Sequence, residues 1–205
     1  MDVFNLSVAP IPQLRIAFIG VGVRGIEAVK RYLQLEVQIV AIAEVGEEAM
    51  QKAKALTAHL SVRPAYYTAP DDWRKLCEHP DIDLLYISTP WQQHAPMAIY
   101  AMQCGKHVAI EVPLAMTIAD CKRIVRTAEE TQRHCMMLEN VCYDHFELMS
   151  IELVKQGKLG ELVHAEGAYI HDLRHLNFRQ TDRDIERGKW RMQYSKTFEG
   201  NPYPT

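Results

Sequence analysis

Short apolar runs alternate with segments of helical periodicity through the first two thirds of the chain. A short apolar run between turn residues is the pattern of a buried strand, whereas apolar residues three and four positions apart indicate an amphipathic helix. The apolar runs are Leu14–Ile19, Val37–Ala43, Ala65–Tyr67, Leu84–Ser88, His107–Ile110 and Cys135–Leu138. Six strands with helices between them predict an α/β fold with a doubly wound, parallel, Rossmann-type sheet.

Glycine and capping residues predict some of the helix boundaries. Gly105 ends a helical segment that covers residues 96–104. Thr117 and Asp120 have the spacing of a capping box ahead of a second segment, residues 121–130. Both segments lie between predicted strands, as the doubly wound arrangement requires.

The pattern changes after Tyr143. Residues 146–156 have helical periodicity, and Leu162–Ile170 alternates apolar and polar positions like a half-exposed strand. We expect this strand to begin an antiparallel sheet, so that residues 1–143 form the first domain and residues 144–205 begin an α+β domain. One or two strands cannot bury a sheet face alone, which predicts that this second domain is incomplete and that the protein is longer.

The composition argues against several classes of function. The chain is 48% apolar and has a net charge of -3, and its charges are interspersed, so no nucleic-acid partner is expected. No apolar run approaches the roughly 20 residues that span a bilayer, so no membrane partner is expected. The first residues do not have the basic segment and apolar segment of a signal peptide, which predicts a cytoplasmic protein. The five cysteines form no C-x-x-C pair, which favours reduced thiols.

A glycine-rich motif, Gly20-Val21-Gly22-Val23-Arg24-Gly25, directly follows the first predicted strand. In this context the first glycine allows a tight turn, the second lets the backbone approach a pyrophosphate, and the third lets the next helix pack closely. The N–H groups at the start of that helix then face the anion. The motif therefore predicts a dinucleotide-phosphate site.

Glu44 follows the second predicted strand, 19 residues after Gly25. This spacing is typical of the carboxylate that accepts both hydroxyls of a ribose. Residues 45–48 contain no lysine or arginine for a 2′-phosphate, and they add two glutamates, so NAD is favoured over NADP. The alternative is that Glu44 caps the helix that starts near Glu47, and the two roles are compatible.

Other candidate residues follow the fourth and fifth predicted strands, at the edge where open α/β sheets bind ligands. Thr89 shapes a turn in which Trp91 can lie against a flat ring of the cofactor. The alternatives to a cofactor contact are that Trp91 is a packing residue and that His94 is a residue at the N-terminus of a helix. Glu111 follows the fifth strand and precedes Pro113, a candidate cis proline, near the nicotinamide end.

Tyr143 follows the sixth predicted strand, where it can donate to a substrate hydroxyl or act as an acid or base. The alternative is a surface tyrosine that packs against the second domain. His171 and His175 lie four positions apart on a strand or loop rather than on a helix. No cysteine or glutamate completes a zinc spacing with them, so no metal site is expected.

Several motifs in chain order resemble the Gfo/Idh/MocA superfamily of nicotinamide-dependent sugar enzymes. Besides the glycine motif they are A-I-A-E at 41–44, I-S-T-P-W-Q-Q-H at 87–94, G-K-H-V-A-I-E-V-P at 105–113 and G-E-L-V-H-A-E-G at 160–167. The ordinary oxidoreductases of that superfamily have E-K-P after the fifth strand, and its lysine assists proton transfer. Here the motif is Glu111-Val112-Pro113, and valine cannot transfer a proton. The resemblance therefore argues against a simple sugar dehydrogenase.

The E-V-P variant occurs together with M-M-L-E-N-V-C-Y at 136–143, A-Y-I-H-D-L-R at 168–174, Trp190-Arg191 and G-N-P-Y-P-T at 200–205. This combination is similar to glycoside hydrolase family 109, typified by α-N-acetylgalactosaminidases with tightly bound NAD. The resemblance implies a redox-neutral reaction. Hydride leaves C3 of the sugar, the ketone acidifies the C2 proton, the glycosidic oxygen is eliminated, water adds, and the hydride returns.

The resemblance also implies roles for individual residues. Tyr143, Arg191 and Tyr203 match positions that contact the sugar, and Tyr143 is the candidate for proton transfer. In the family a histidine proposed as the base follows Y-P-T, whereas this chain ends at Thr205, so we expect it to bind NAD without turnover. The predicted cofactor-binding residues are Gly20, Gly22, Val23, Arg24, Gly25, Glu44, Thr89, Trp91, His94, Glu111 and Asn140.

Two other functions are compatible with these residues. One is a sugar oxidoreductase of the same superfamily with net hydride transfer, and the other is a non-catalytic NAD-binding module. The expected partners are an N-acetylgalactosaminide substrate and, through the remainder of the second sheet, another copy of the chain.

Overall fold

The computed structural model describes residues 2–168 and Ile170. The predicted sugar-contacting residues Arg191 and Tyr203, and the histidine pair His171 and His175, lie outside this part of the chain. The chain divides into two compact units, of which the first ends at Val141 and the second begins at Cys142. Each unit is described by itself.

The first unit contains a six-stranded parallel sheet. Its strands are β1 (Leu14–Ile19), β2 (Val37–Ala43), β3 (Ala65–Tyr67), β4 (Leu84–Ile87), β5 (His107–Ile110) and β6 (Cys135–Met137). They are ordered β3-β2-β1-β4-β5-β6, and every neighbouring pair is parallel. This confirms the predicted doubly wound sheet. The strand order reverses between β1 and β4, which is where such sheets bind ligands.

Five helices connect these strands, and the described residues of the second unit contain a sixth. They are α1 (Val23–Tyr32), α2 (Glu47–Thr57), α3 (Trp73–Glu78), α4 (Trp91–Gln103), α5 (Ile118–Thr131) and α6 (His145–Lys155). Short 3-10 turns occupy Val3–Asn5 and Val141–Tyr143. No helix in the described ranges is both long enough and apolar enough to cross a membrane.

Both faces of the sheet are buried, because successive residues of a strand point to opposite sides. In β1, Ile16 and Phe18 pack in a cluster with α1 and α2, while Ala17 and Ile19 belong to a cluster with α3, α4 and α5. All four of these side chains are buried. The near-continuous apolar runs in the sequence are the direct consequence of this two-sided burial.

Two predicted helix boundaries are wrong in detail. The helix that was predicted to start at residue 96 begins at Trp91. Proline favours the first position of a helix, but Pro96 lies inside α4, on its exposed side. The Thr117 hydroxyl caps α5 by accepting the Asp120 N–H at 3.0 Å. It also donates to the Asp120 carboxylate at 2.8 Å, so the predicted cap at Thr117 is confirmed, whereas α5 begins at Ile118 and not at the predicted residue 121.

The predicted strand at 162–170 is also wrong for its described residues. Residues 162–168 form no strand, and Val163 and Ile170 are 91% and 89% exposed. A strand needs a neighbour to pair its N–H and C=O groups, and the described part of the chain supplies no neighbour. In α6 most apolar side chains are likewise exposed, with Phe146 at 73%, while Leu153 is half-buried.

Candidate nucleotide-binding site

The glycine motif forms the loop that joins β1 to α1. Gly20 has φ +84° and donates its N–H to the Ala43 carbonyl at the end of β2, at 2.8 Å. A Cβ at this position would lie 2.6 Å from the carbonyl oxygen of Ser88, directly after β4. Only glycine satisfies both the positive φ and this close approach.

Gly25 is packed equally tightly in the first turns of α1. An added Cβ would lie 2.2 Å from the Gly20 carbonyl oxygen and 2.6 Å from the Ser88 hydroxyl oxygen. That hydroxyl donates to the Gly20 carbonyl at 2.7 Å. The third glycine of the motif therefore lets the helix close onto both its own loop and the end of β4.

Gly22, by contrast, faces open space. A Cβ built on it meets no described atom within 4 Å. The next two residues, Val23 and Arg24, begin α1 and are exposed, and the first-turn N–H groups of a helix have no partner within that helix. Space over a glycine beside such donors fits a pyrophosphate, which a side chain at Gly22 would displace.

The Glu44 carboxylate ties the end of β2 to the glycine loop. One oxygen accepts the Val21 N–H at 2.7 Å, and the other accepts the Gly46 N–H at 2.7 Å, just before α2. The structure thus gives Glu44 a role in the turn before α2 and brings it beside the motif as well. Ribose binding by this carboxylate stays a prediction.

His94 lies in the first turns of α4 and is 1% exposed. Its Nδ1 is 2.7 Å from the Pro113 carbonyl oxygen, and its Nε2 is 2.9 Å from the Thr89 carbonyl oxygen. Burial lowers the pKa of His94, while the two carbonyls and Glu111 act in the opposite direction. The ring joins the loops that follow β4 and β5, and a direct contact with the cofactor stays a prediction.

Two other predicted residues lie beside His94. Trp91 begins α4 and is 6% exposed, which agrees with the packing alternative. The Thr89 hydroxyl is directed at the Met97 sulfur at 3.6 Å, so its carbonyl and its side chain both face α4. The turn after β4 is therefore fixed by the helix that follows it.

Glu111 follows β5 and accepts a hydrogen bond from the Tyr86 hydroxyl at 2.5 Å. The peptide bond between Val112 and Pro113, the two residues after Glu111, is cis, as the sequence suggested. Sequence reasoning missed Tyr86, which lies inside β4. The available signal was a tyrosine in an otherwise apolar strand, since a buried tyrosine hydroxyl requires a polar partner.

The remaining predicted residues follow β6. Asn140 is exposed in the first unit, and Tyr143 is 61% exposed at the end of the 3-10 turn Val141–Tyr143. Tyr143 belongs to the second unit, so its role at the sugar stays a prediction. Within the described part of the chain, no three histidine, cysteine, aspartate or glutamate side chains gather as metal ligands.

Two families match successive parts of the chain. The Gfo/Idh/MocA family, described as an oxidoreductase family with an NAD-binding Rossmann fold, matches residues 14–139. The family described as the glycosyl hydrolase 109 C-terminal domain matches residues 143–205. The nucleotide-binding match covers the whole sheet and every loop of the site.

Similar proteins support the same assignment. A glycosyl hydrolase family 109 protein 2 and an alpha-N-acetylgalactosaminidase, both from Bacteroides fragilis, are each 48% identical over 99% of this chain. The chain spans about half the length of these relatives, 48% in each case. The fold is also similar to that of the WlbA dehydrogenase from Bordetella pertussis, whose structure was solved with NADH and UDP-GlcNAcA. The TM-score is 0.63 and the identity 23%, and the match covers 72% of this chain and 43% of the dehydrogenase chain.

The different surroundings of Gly22 and Gly25 predict different defects. Gly22→Ala adds a methyl group in open space, so it should change the free energy of unfolding by less than about 1 kcal/mol yet weaken NAD binding at least about tenfold. Gly25→Ala forces the loop apart and should cost about 1–3 kcal/mol of stability. Thermal unfolding and calorimetric titration measure the two effects. Equal stability loss in both variants would contradict this assignment.

Proposed function

The chain belongs to the Gfo/Idh/MocA oxidoreductase family and continues into the glycosyl hydrolase 109 C-terminal domain, and from this we propose that it is the front part of an NAD-dependent glycosidase. The proposed substrates are terminal N-acetylgalactosaminides, cleaved by the redox-neutral route described above. The observation that carries the proposal is that a glycosidase-family segment directly follows a nucleotide-binding fold in one chain.

The geometry of the carboxyl edge supports the residues that we propose to hold NAD. The open face of Gly22 and the first turn of α1 would receive the pyrophosphate, and Glu44 would accept the ribose hydroxyls. Glu111 would lie at the nicotinamide end. When bound, NAD⁺ supplies a hydride acceptor for a sugar carbon, and its reduced form supplies the hydride donor that closes the cycle.

The protein's own chemistry in this proposal is proton transfer and orientation. Val112 stands where the ordinary oxidoreductases have a lysine, so it contributes no acid or base. Tyr143 is proposed to assist the removal of the C2 proton, and Arg191 and Tyr203 to bind the sugar. Elimination followed by hydration needs no pair of carboxylates across the glycosidic bond, unlike the common glycosidase mechanisms.

We expect NAD⁺ to bind in preference to NADP⁺, because Glu44 repels a 2′-phosphate and residues 45–48 contain no cation to receive one. Glu44→Ala should weaken NAD⁺ by roughly 1.5–3 kcal/mol, the scale of hydrogen bonds to a charged group, and should reduce the preference over NADP⁺. Glu36→Ala removes an exposed acid directly before β2, at the amino end of that strand, and is the matched control. Calorimetry measures both affinities, and equal affinity of the wild type for the two nucleotides would refute the assignment.

A version of the protein with the complete family 109 domain should hydrolyse an aryl N-acetylgalactosaminide without net formation of NADH, since each cycle returns the hydride. Release of the aryl group and NADH absorbance are followed in the same assay. Steady accumulation of NADH would favour the sugar oxidoreductase. Absence of turnover with any sugar, together with tight NAD binding, would favour the non-catalytic NAD-binding module.

In the same complete version, Tyr143→Phe should lower kcat by about 10²-fold while NAD stays bound, because a positioned acid or base contributes about that factor. Tyr100→Phe, which removes a hydroxyl paired with Glu78 on the surface of α4, is the control and should be neutral. A rate within a few-fold of wild type for Tyr143→Phe would exclude a proton-transfer role. Retention of the substrate C2 hydrogen in deuterated solvent would count against elimination.

A further inference from the structure

A buried hydroxyl reaches the candidate site from inside the sheet. Tyr86 is 3% exposed in β4, and its hydroxyl donates to one carboxylate oxygen of Glu111 at 2.5 Å. In the parallel register Tyr86 lies opposite Ala109, and Glu111, two residues after Ala109 and directly after β5, lies on the same face. Diagonal neighbours of this kind are within reach of a long aromatic side chain, so the contact is built by strand register.

Both partners are held in place by their surroundings. The Tyr86 ring packs against Phe18 with ring centroids 5.3 Å apart and against Tyr32 at 6.0 Å. The Glu111 backbone N–H donates to the Ile87 carbonyl at 2.9 Å, which extends the β4–β5 ladder by one residue. The ring and the main chain are thus fixed, and the remaining freedom is the direction of the Glu111 carboxylate.

The hydrogen bond has a definite sense. Burial raises the pKa of the Tyr86 phenol, and the neighbouring Glu111 carboxylate acts in the same direction. The phenol therefore stays protonated and donates, while an ionised carboxylate only accepts. With one oxygen held by Tyr86, fewer directions are open to the second oxygen.

We propose that Tyr86 is a positioning residue that holds the Glu111 carboxylate, so that its negative charge favours oxidised over reduced cofactor at the nicotinamide end. The oxidised ring is positively charged and the reduced ring is neutral, so a nearby fixed carboxylate stabilises only the oxidised form by direct charge attraction. This inference rests on the proposed function, because it takes Glu111 to lie beside the bound nicotinamide.

The test compares the dissociation constants of NAD⁺ and NADH in four variants of the 205-residue chain, by calorimetry and nucleotide fluorescence. Glu111→Gln should lower the preference for NAD⁺ about tenfold or more, because it removes the charge. Tyr86→Phe should lower it about threefold to tenfold, because the charge stays and only its direction is released. The double variant should match Glu111→Gln alone. Tyr66→Phe removes another partly buried tyrosine hydrogen bond, to Thr57 at 2.7 Å, and should leave the preference unchanged.

An unchanged preference in Tyr86→Phe, or additive effects in the double variant, would overturn the proposal. A second measurement does not depend on nucleotide binding. Crystal structures of the wild type and of Tyr86→Phe should show the Glu111 carboxylate turned to a different direction in the variant, and the same direction in both would overturn positioning by Tyr86. If the wild type binds neither nucleotide, the proposed function fails, while a reoriented carboxylate still establishes the role of Tyr86 toward Glu111.

Discussion

The site depends on the close approach between the glycine loop and the end of β4. Gly20 and Gly25 leave no room for a Cβ, because the Ser88 carbonyl and hydroxyl oxygens occupy that space. This contact lies between β1 and β4, where the strand order reverses. It also directs the start of α1 toward the same edge of the sheet. The nucleotide site is therefore a consequence of how tightly two neighbouring parallel strands and one helix are packed.

Successive strand ends are joined along this edge by polar contacts. Glu44 links the end of β2 to the loop after β1, and His94 links the turn after β4 to the turn after β5. Tyr86 adds a connection from inside β4 to Glu111. Each contact pairs a charged or polar side chain with a partner on a different loop or strand, so the edge is organised by the protein's own hydrogen bonds, as preorganised sites require.

The sequence predicted the elements better than the contacts between them. Strands buried on both faces are nearly continuous apolar runs, so β1 to β6 were found to within a residue. His94 contacts Pro113, 19 positions away, and Glu111 contacts Tyr86, 25 positions away. Such contacts depend on the packing of β4, β5 and α4 against one another, which no local pattern in the sequence reports. The strand predicted at 162–170 is the opposite case, since its described residues form no strand. Alternation of apolar and polar positions indicates a face suited to burial, but it does not supply the neighbour that must pair with the strand.

The N-cap of α2 is Gly46, so Glu44 does not cap this helix, and its contacts with the loop are compatible with the proposed role at the ribose. An ionised carboxylate offers about four lone-pair sites, and the Val21 and Gly46 N–H groups use one on each oxygen. One acceptor site on each oxygen is therefore left for a donor such as a ribose hydroxyl, without loss of the contacts that hold the loop. In the proposed function, the carboxylate that orders the glycine loop would therefore accept a ribose hydroxyl while it keeps its contacts with Val21 and Gly46.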